Sequence, residues 1–233
     1  NSQSIVYVKE LEEYMEENNV PNNLTIMSLS GTEQRNMLIK SIDIPEWYSY
    51  PEIIVELRKS YIPLHKSGFC IYFIGLSGSG KTTMANALYS KLMEYETKRK
   101  ITILDGDSIR LNLSKGLGFS KNDRSINVQR IGYVASEIVK HNGICICANI
   151  APYDNDRLIN RKQIRQYGKY LEIYVGTPLE ICESRDVKGL YKMARDGILK
   201  EFTGISDPFE MPTKSDLVIN GGDDIMKNIG LIM

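Results

Sequence analysis

The chain has 233 residues, with 29 basic and 29 acidic side chains and no formal net charge, so its charge carries neither a nucleic-acid footprint nor a membrane-surface patch. At 42% apolar and 25% charged it has the composition of an ordinary globular protein, long enough for one α/β domain and a smaller piece. No apolar run approaches the ~20 residues of a membrane span and no basic-then-apolar leader opens the chain, so a protein of the reducing cytoplasm is expected.

Residues 1 to 65 differ in character from the rest. Ile5–Val8 reads as a short strand and the acidic stretch from Leu11 to Glu17 as a helical turn or two, ending at Asn18-Asn19 before Pro21. Thr32 to Ile39 has helical spacing, with Thr32 as a cap. Ile44 to Tyr48 is an aromatic turn. Pro51 opens an amphipathic helix to about Tyr61, followed by Pro63, with Ile53, Ile54, Leu57 and Tyr61 on its apolar stripe. The chain starts at Asn1 rather than Met, which leads to the expectation of a fragment of something longer.

From residue 66 to 233, strands and helices alternate. Strands are predicted at Phe69–Ile74, Ile101–Leu104, Ile144–Ile150, Tyr170–Val175 and Leu217–Ile219. Helices are predicted over Thr82 to about Thr97, Asn122 to about Lys140 and Asp154 to Gln166, from Pro178, and from Asp223 onward. Short β-branched runs between amphipathic helices imply a five-stranded parallel sheet with helices on both faces and ligands at the carboxyl ends of its strands. The front segment adds a small α+β piece. Cys145 and Cys147 sit two apart on one predicted strand, facing the same way, with Cys70 and Cys182 elsewhere. The C-x-C pair with His141 nearby offers a partial metal site, but a zinc site wants four ligands and no second Cys or His cluster supplies them, so these cysteines read as small buried hydrophobes.

The chemistry starts at Gly75-Leu-Ser-Gly-Ser-Gly-Lys-Thr82, a G-x-x-x-x-G-K-[ST] run entered from a strand and left on a helix. Its backbone N–H groups curl around a β-phosphate, Lys81 reaches the β- and γ-phosphates, and the Thr82 hydroxyl is placed for Mg²⁺. The fold class is therefore α/β of the P-loop NTPase type. Gly75, Ser77, Gly78, Ser79, Gly80, Lys81, Thr82 and Thr83 form the nucleotide-binding set, with Mg²⁺ accompanying ATP; Ser77 and Ser79 have no individual role. The second strand ends in Asp105-Gly-Asp107, where one carboxylate can serve Mg²⁺ and the other can accept the proton of an attacking hydroxyl. The competing reading is a turn that caps the next helix. Arg110, Arg124 and Arg130 follow, with Phe119 among them; arginines suit an anionic substrate and a Phe can stack on a base.

Four further runs are specific as a set: Leu104-Asp-Gly-Asp-Ser-Ile-Arg110, Leu117 to Asn127, Lys188-Gly-Leu-Tyr-Lys-Met-Ala-Arg195 and Phe202-Thr-Gly-Ile-Ser-Asp-Pro-Phe-Glu-Met-Pro212. With the phosphate loop they resemble the adenylylsulfate kinase family across nearly all of residues 68–222. The resemblance implies transfer of the ATP γ-phosphoryl group to the 3′-hydroxyl of adenosine 5′-phosphosulfate (APS). By it, Lys81, Asp105 and Asp107 are catalytic, with Asp107 on the acceptor hydroxyl and Asp105, with Thr82, near Mg²⁺. Arg110, Arg124 and Asn127 hold APS, and Phe119 and Phe202 sandwich its adenine. Ile150-Ala151-Pro152 runs along the substrate channel, Lys188-Gly189-Leu190 is a mobile lid, and Arg185 and Arg195 serve ATP. A homodimer is the expected assembly, with no nucleic-acid or membrane partner.

The departures are equally specific. Ala151 stands where the family usually has Ser, which excludes a phosphoenzyme there. Gln129 replaces a common Arg, Tyr133 a common Glu, and Asn149 an apolar residue. Leu29-Ser-Gly-Thr-Glu-Gln-Arg35, Ile44-Pro-Glu-Trp47, Pro51-Glu52 and Leu57-Arg58 resemble the C-terminal end of ATP sulfurylase, which in some organisms is fused ahead of the kinase. No sulfurylase activity is expected of this chain, since His65 and His141 are its only histidines. The alternative to a kinase is a non-catalytic nucleotide-binding domain that regulates a fused sulfurylase.

Overall fold

The structure is a computed structural model that describes residues 5–61, 67–95 and 99–233. The predicted helix end at Thr97, together with Pro63 and His65, lies outside the described residues. The chain divides into two compact units, Asn1–Lys66 and Ser67–Met233.

In the first unit β1 (Ile5–Val8) is flanked by β2 (Glu13–Glu16) and β3 (Ile26–Met27) in an antiparallel sheet of order β2-β1-β3. The acidic stretch predicted as helix is thus largely strand. Tyr7 pairs with Tyr14 across the β1–β2 ladder, and their rings meet edge-on at 5.2 Å while Trp47 stacks on Tyr7. Cross-strand aromatic packing of this kind overrides the weak helical preference of Glu. Helix α1 (Gly31–Ile39) starts one residue before the predicted cap. Ser30 and Glu33 form a reciprocal capping box, so Thr32 lies inside the first turn. Helix α2 (Pro51–Ser60) lays Ile54, Leu57 and Tyr61 against Leu38 and Ile44, while Ile53 remains half exposed rather than on the apolar stripe.

The second unit is a five-stranded sheet of order β5-β6-β4-β7-β8, parallel throughout. Its strands are β4 (Phe69–Ile74), β5 (Ile101–Asp105), β6 (Ile144–Ala148), β7 (Lys169–Val175) and β8 (Leu217–Ile219). The strand period of two sorts the side chains cleanly. Ile71, Phe73, Ile146 and Ile173 face α3 (Lys81–Tyr95) and α9 (Ile225–Ile232), burying Met84, Leu88 and Ile229. Cys70, Tyr72, Cys145 and Cys147 face α5 (Lys121–Lys140) and α6 (Asp154–Arg165), burying Val128, Ile131, Ala135 and Ile164. With both faces covered, the central strands read as unbroken apolar runs.

Three short helices surround the carboxyl edge: α4 (Gly106–Leu111), α7 (Leu179–Arg185) and α8 (Leu190–Arg195). The first and last were not predicted as helices, since one lies in a stretch read as irregular and the other in the expected lid. Pro178 is the residue before α7, not its first turn.

Candidate active site at the carboxyl edge of the sheet

Strand β4 has neighbours on both sides, and the chain leaves its carboxyl end as the loop 75–80 before entering α3. Gly75 (φ +147) and Gly78 (φ +72) are in conformations that L side chains avoid, and a Cβ on Gly75 would lie 2.7 Å from the Val175 carbonyl. The loop is held from outside. Thr177 Oγ1 donates to Ser79 O at 2.7 Å, Tyr191 Oη donates to Ser77 O at 2.8 Å, and Arg185 donates to Gly78 O and Gly221 O, each at 3.1 Å. Thr177, Gly221 and Tyr191 were not singled out from the sequence. Their signal was weak: a Thr-Pro step after a buried strand, a Gly-Gly pair after the last one, and one Tyr inside the expected lid.

The loop opens onto a cleft of about 600 Å³, a volume suited to a small-molecule ligand. Among the predicted residues, Ser77, Gly78, Gly80, Lys81, Thr82, Thr83, Asp105, Asp107, Arg110, Arg124, Asn127, Ile150, Pro152, Arg185 and Lys188 line it. Lys81 is buried, with Nζ donating to Leu76 O at 2.6 Å, and burial above all pushes its pKa from 10.5 down to about 8 while Asp105 and Asp107 pull it back up. An ammonium held this way, on the first residue of a fifteen-residue helix, can receive a phosphate.

Asp105 divides its two oxygens. Oδ1 accepts the Asp107 N–H at 3.0 Å and caps α4, whereas Oδ2 accepts the Thr82 hydroxyl at 2.7 Å. The capping reading of the Asp-Gly-Asp turn therefore holds, and the second oxygen is left facing the loop. A hydroxyl and a carboxylate brought together on the cleft wall are an oxygen donor set of the kind Mg²⁺ takes, so these residues fit the ion. Asp107 stands two residues on and is ion-paired with Lys188.

Arg110 stacks its guanidinium on Phe119 at 4.5 Å and donates to Gly118 O at 2.9 Å; burial, then the like charge of Arg124, lowers its pKa. Arg124 is buried and largely committed to the protein, donating to Glu201 O at 2.6 Å and Thr203 Oγ1 at 2.8 Å and pairing with Asp207 at 2.9 Å. Asn127 is buried on the cleft wall, and its Oδ1 has no partner among the described residues. Arg130 turns away to Leu113 O at 3.0 Å.

Other expected members are not on the cleft wall. Phe119 is half exposed beside Arg110. Phe202 is packed edge-on against Tyr191 at 5.0 Å, in a cluster with Cys182 and Leu179. Arg195 binds Glu183 at 2.8 and 3.1 Å. Gly75, Ser79, Ala151, Gly189 and Leu190 frame the cleft rather than line it: Ser79 is buried beside Lys81, Gly189 is the left-handed residue before α8, and Ala151 is buried at φ +43. Asn149, polar where an apolar residue was expected, donates Nδ2 to Tyr72 Oη at 2.8 Å and lines the cleft.

Comparison with known proteins gives two family matches. Residues 67–220 match the family described as adenylylsulphate kinase, and residues 1–60 match ATP-sulfurylase. The sulfate adenylyltransferase of Aspergillus oryzae is 40% identical over 97% of this chain, and that of Yarrowia lipolytica is 40% identical over 97%. The chain spans 39% and 40% of those proteins. A hexameric APS kinase from Thiobacillus denitrificans superposes with a TM-score of 0.73 at 38% identity, over 99% of this chain and 41% of that one. The Mycobacterium tuberculosis APS kinase, solved in complex with AMPPNP and APS, gives 0.67 at 35% identity, over 71% of this chain and 95% of that one.

Proposed function

The chain belongs to the adenylylsulphate kinase family, and on that premise we propose that it transfers the γ-phosphoryl group of ATP to the 3′-hydroxyl of APS, giving 3′-phosphoadenylyl sulfate and ADP. The observation that carries this reading is the junction of loop and turn: Thr82 bonded to Asp105, with Asp107 two residues further along the same cleft wall. Phosphoryl transfer asks a protein for alignment and charge stabilisation more than for covalent chemistry. The loop N–H groups and Lys81 hold the triphosphate. Thr82 and Asp105 would hold Mg²⁺, which when bound neutralises charge on the β- and γ-phosphates. Asp107 accepts the proton of the acceptor hydroxyl once Lys188 yields its place on that carboxylate. Arg110 and Asn127 bind the sulfate and phosphate end of the acceptor, and Arg124 sets the wall between them. Phe119 and Phe202 take the adenine after a rearrangement that frees the ring of Phe202 from Tyr191. With alanine at 151 the transfer is direct.

A second reading has one observation in its favour: the relatives matched over 97% of this chain are named for sulfate adenylyltransfer alone. In that reading the domain binds nucleotide without transferring phosphate and serves the sulfurylase portion to which residues 1–60 are similar. The two separate in a single assay. Purified protein is given Mg·ATP with APS, or with other hydroxyl acceptors, and ADP is followed. APS-dependent turnover, lost by about 10²-fold or more in Asp107→Asn with ATP affinity unchanged, is expected. Tight APS binding without turnover would refute the kinase reading in favour of the regulatory one.

A further inference from the structure

Three of the four cysteines converge in the core, away from the cleft. In the parallel β4–β6 ladder Cys70 is paired with Cys145 and Tyr72 with Cys147, so all three thiols emerge on the face covered by α5 and α6. Sγ of Cys147 lies 3.6 Å from that of Cys145 and 3.8 Å from that of Cys70, and all three sulfurs are within 4.8 Å of one another. Each of the three residues is fully buried. The C-x-C pair alone was one ligand short of even a trigonal set. What the sequence could not supply was the register that brings Cys70 beside it.

The size of this triangle is informative. An ion bonded at the ~2.3 Å of a metal–thiolate bond and lying in the plane of three sulfurs needs them roughly 4.0 Å apart. Two of the three sulfur pairs already stand at about that spacing and the third within 4.8 Å, on two adjacent strands of the sheet.

The surroundings select the ion. Among the described residues no histidine, carboxylate or fourth thiol joins the group; Cys182 belongs to the separate cluster behind the phosphate loop. Of the tyrosine hydroxyls on the same face, Tyr72 Oη is already engaged by Asn149 and Asn160, and Tyr170 Oη donates to Glu172. Four-coordinate zinc is therefore not provided for by the described side chains. A soft d¹⁰ ion that is content with three sulfurs fits instead.

We propose that Cys70, Cys145 and Cys147 form a trigonal thiolate site for a soft monovalent cation of the copper(I) class, stapling β4 to β6. Binding replaces thiol protons by metal–sulfur bonds and releases those protons to solvent; no atom changes oxidation state. Because the sulfurs are buried, the ion enters as the sheet assembles, and its binding energy adds to the stability of the folded state. This site stands independently of the kinase reading.

The test is to refold the full chain anaerobically with Cu(I), with a Cu(I) chelator present to strip loosely held metal, and to measure copper content, sulfur coordination by X-ray absorption, and the thermal midpoint. About one copper per chain with three sulfur neighbours, a raised midpoint, and at least about tenfold weaker retention in Cys147→Ala but not in Cys182→Ala are expected. Substoichiometric copper in the wild type, or coordination by nitrogen, oxygen or fewer than three sulfurs, overturns the proposal without recourse to any variant. Equal retention by a folded Cys147→Ala overturns it as well.

Discussion

Gly132, in the middle of α5, lets that helix approach α6 closely enough for Asn160 to reach across. Asn160 is fully buried, and its Nδ2 donates to Val128 O at 2.9 Å and to Tyr72 Oη at 3.2 Å. A Cβ on residue 132 would lie 2.0 Å from Asn160 Oδ1 and 2.2 Å from its Cγ, so Gly132→Ala must expel the amide or part the helices. Losing two buried hydrogen bonds costs ~2 kcal/mol, stranding a polar group adds ~1–3, and parting the helices instead costs ~1–3 kcal/mol. The better helix propensity of Ala returns ~1 kcal/mol. The balance is a destabilisation of ~2–4 kcal/mol if the amide is expelled and at most ~2 kcal/mol if the helices part, against the ~5–15 kcal/mol typical of a domain. Urea unfolding followed by circular dichroism is the assay, because the single tryptophan, Trp47, belongs to the other unit. The double variant Gly132→Ala/Asn160→Ala should be less destabilised than the sum of the two single changes. An unchanged midpoint in Gly132→Ala, or strict additivity in the cycle, would refute the steric argument.

Burial carries Lys81 from 10.5 to about 8, so between those two values the unfolded chain binds the proton more tightly than the folded one. The penalty is complete below the folded value and fades as pH rises through that window. Lys81→Met should therefore melt higher than wild type at neutral pH without nucleotide, lose the rise produced by Mg·ATP, and converge with wild type at alkaline pH; a pH-independent difference would disprove the linkage. Asp105→Asn retains a cap acceptor for α4 but loses the carboxylate facing Thr82, so its circular dichroism should match wild type while calorimetry shows ATP binding no longer strengthened by Mg²⁺. A persisting Mg²⁺ effect would remove Asp105 from the ion's ligands. Tyr72→Phe takes away the hydroxyl shared by Asn149 and Asn160; it should cost ~1–3 kcal/mol of stability, read as a lowered urea midpoint, and an unchanged midpoint would show that this hydroxyl contributes nothing net.

The parallel sheet was legible because its strands are buried on both faces and bounded by turn residues; Phe69–Ile74 and Leu217–Ile219 match the predicted limits. The phosphate loop was legible because its glycines answer a backbone requirement, not a packing one. The first unit was less so. Glu13–Glu16 forms a strand through Tyr14 meeting Tyr7 and Trp47, and Tyr14 Oη donates to the Trp47 carbonyl; these partners are 7 and 33 residues away and invisible to local periodicity. Asn149 looked like a polar residue out of place until Tyr72, on the next strand, supplied its partner. Long-range pairing explains each of these misreadings.

The Asp105-Gly-Asp107 turn shows a different limit. Sequence reading set a helix cap against a catalytic pair, as though one carboxylate could serve only one purpose. A carboxylate has two oxygens, and here one organises α4 while the other faces Thr82. The cap fixes the χ angles of Asp105, and that fixation is what aims the second oxygen at the loop hydroxyl. Asp107, freed from capping by its neighbour, keeps its carboxylate at the cleft, ion-paired there with Lys188. Structural and chemical duties are thus not rival explanations of this turn. The first produces the geometry on which the proposed ion site depends, and any substitution at residue 105 must be judged on both oxygens.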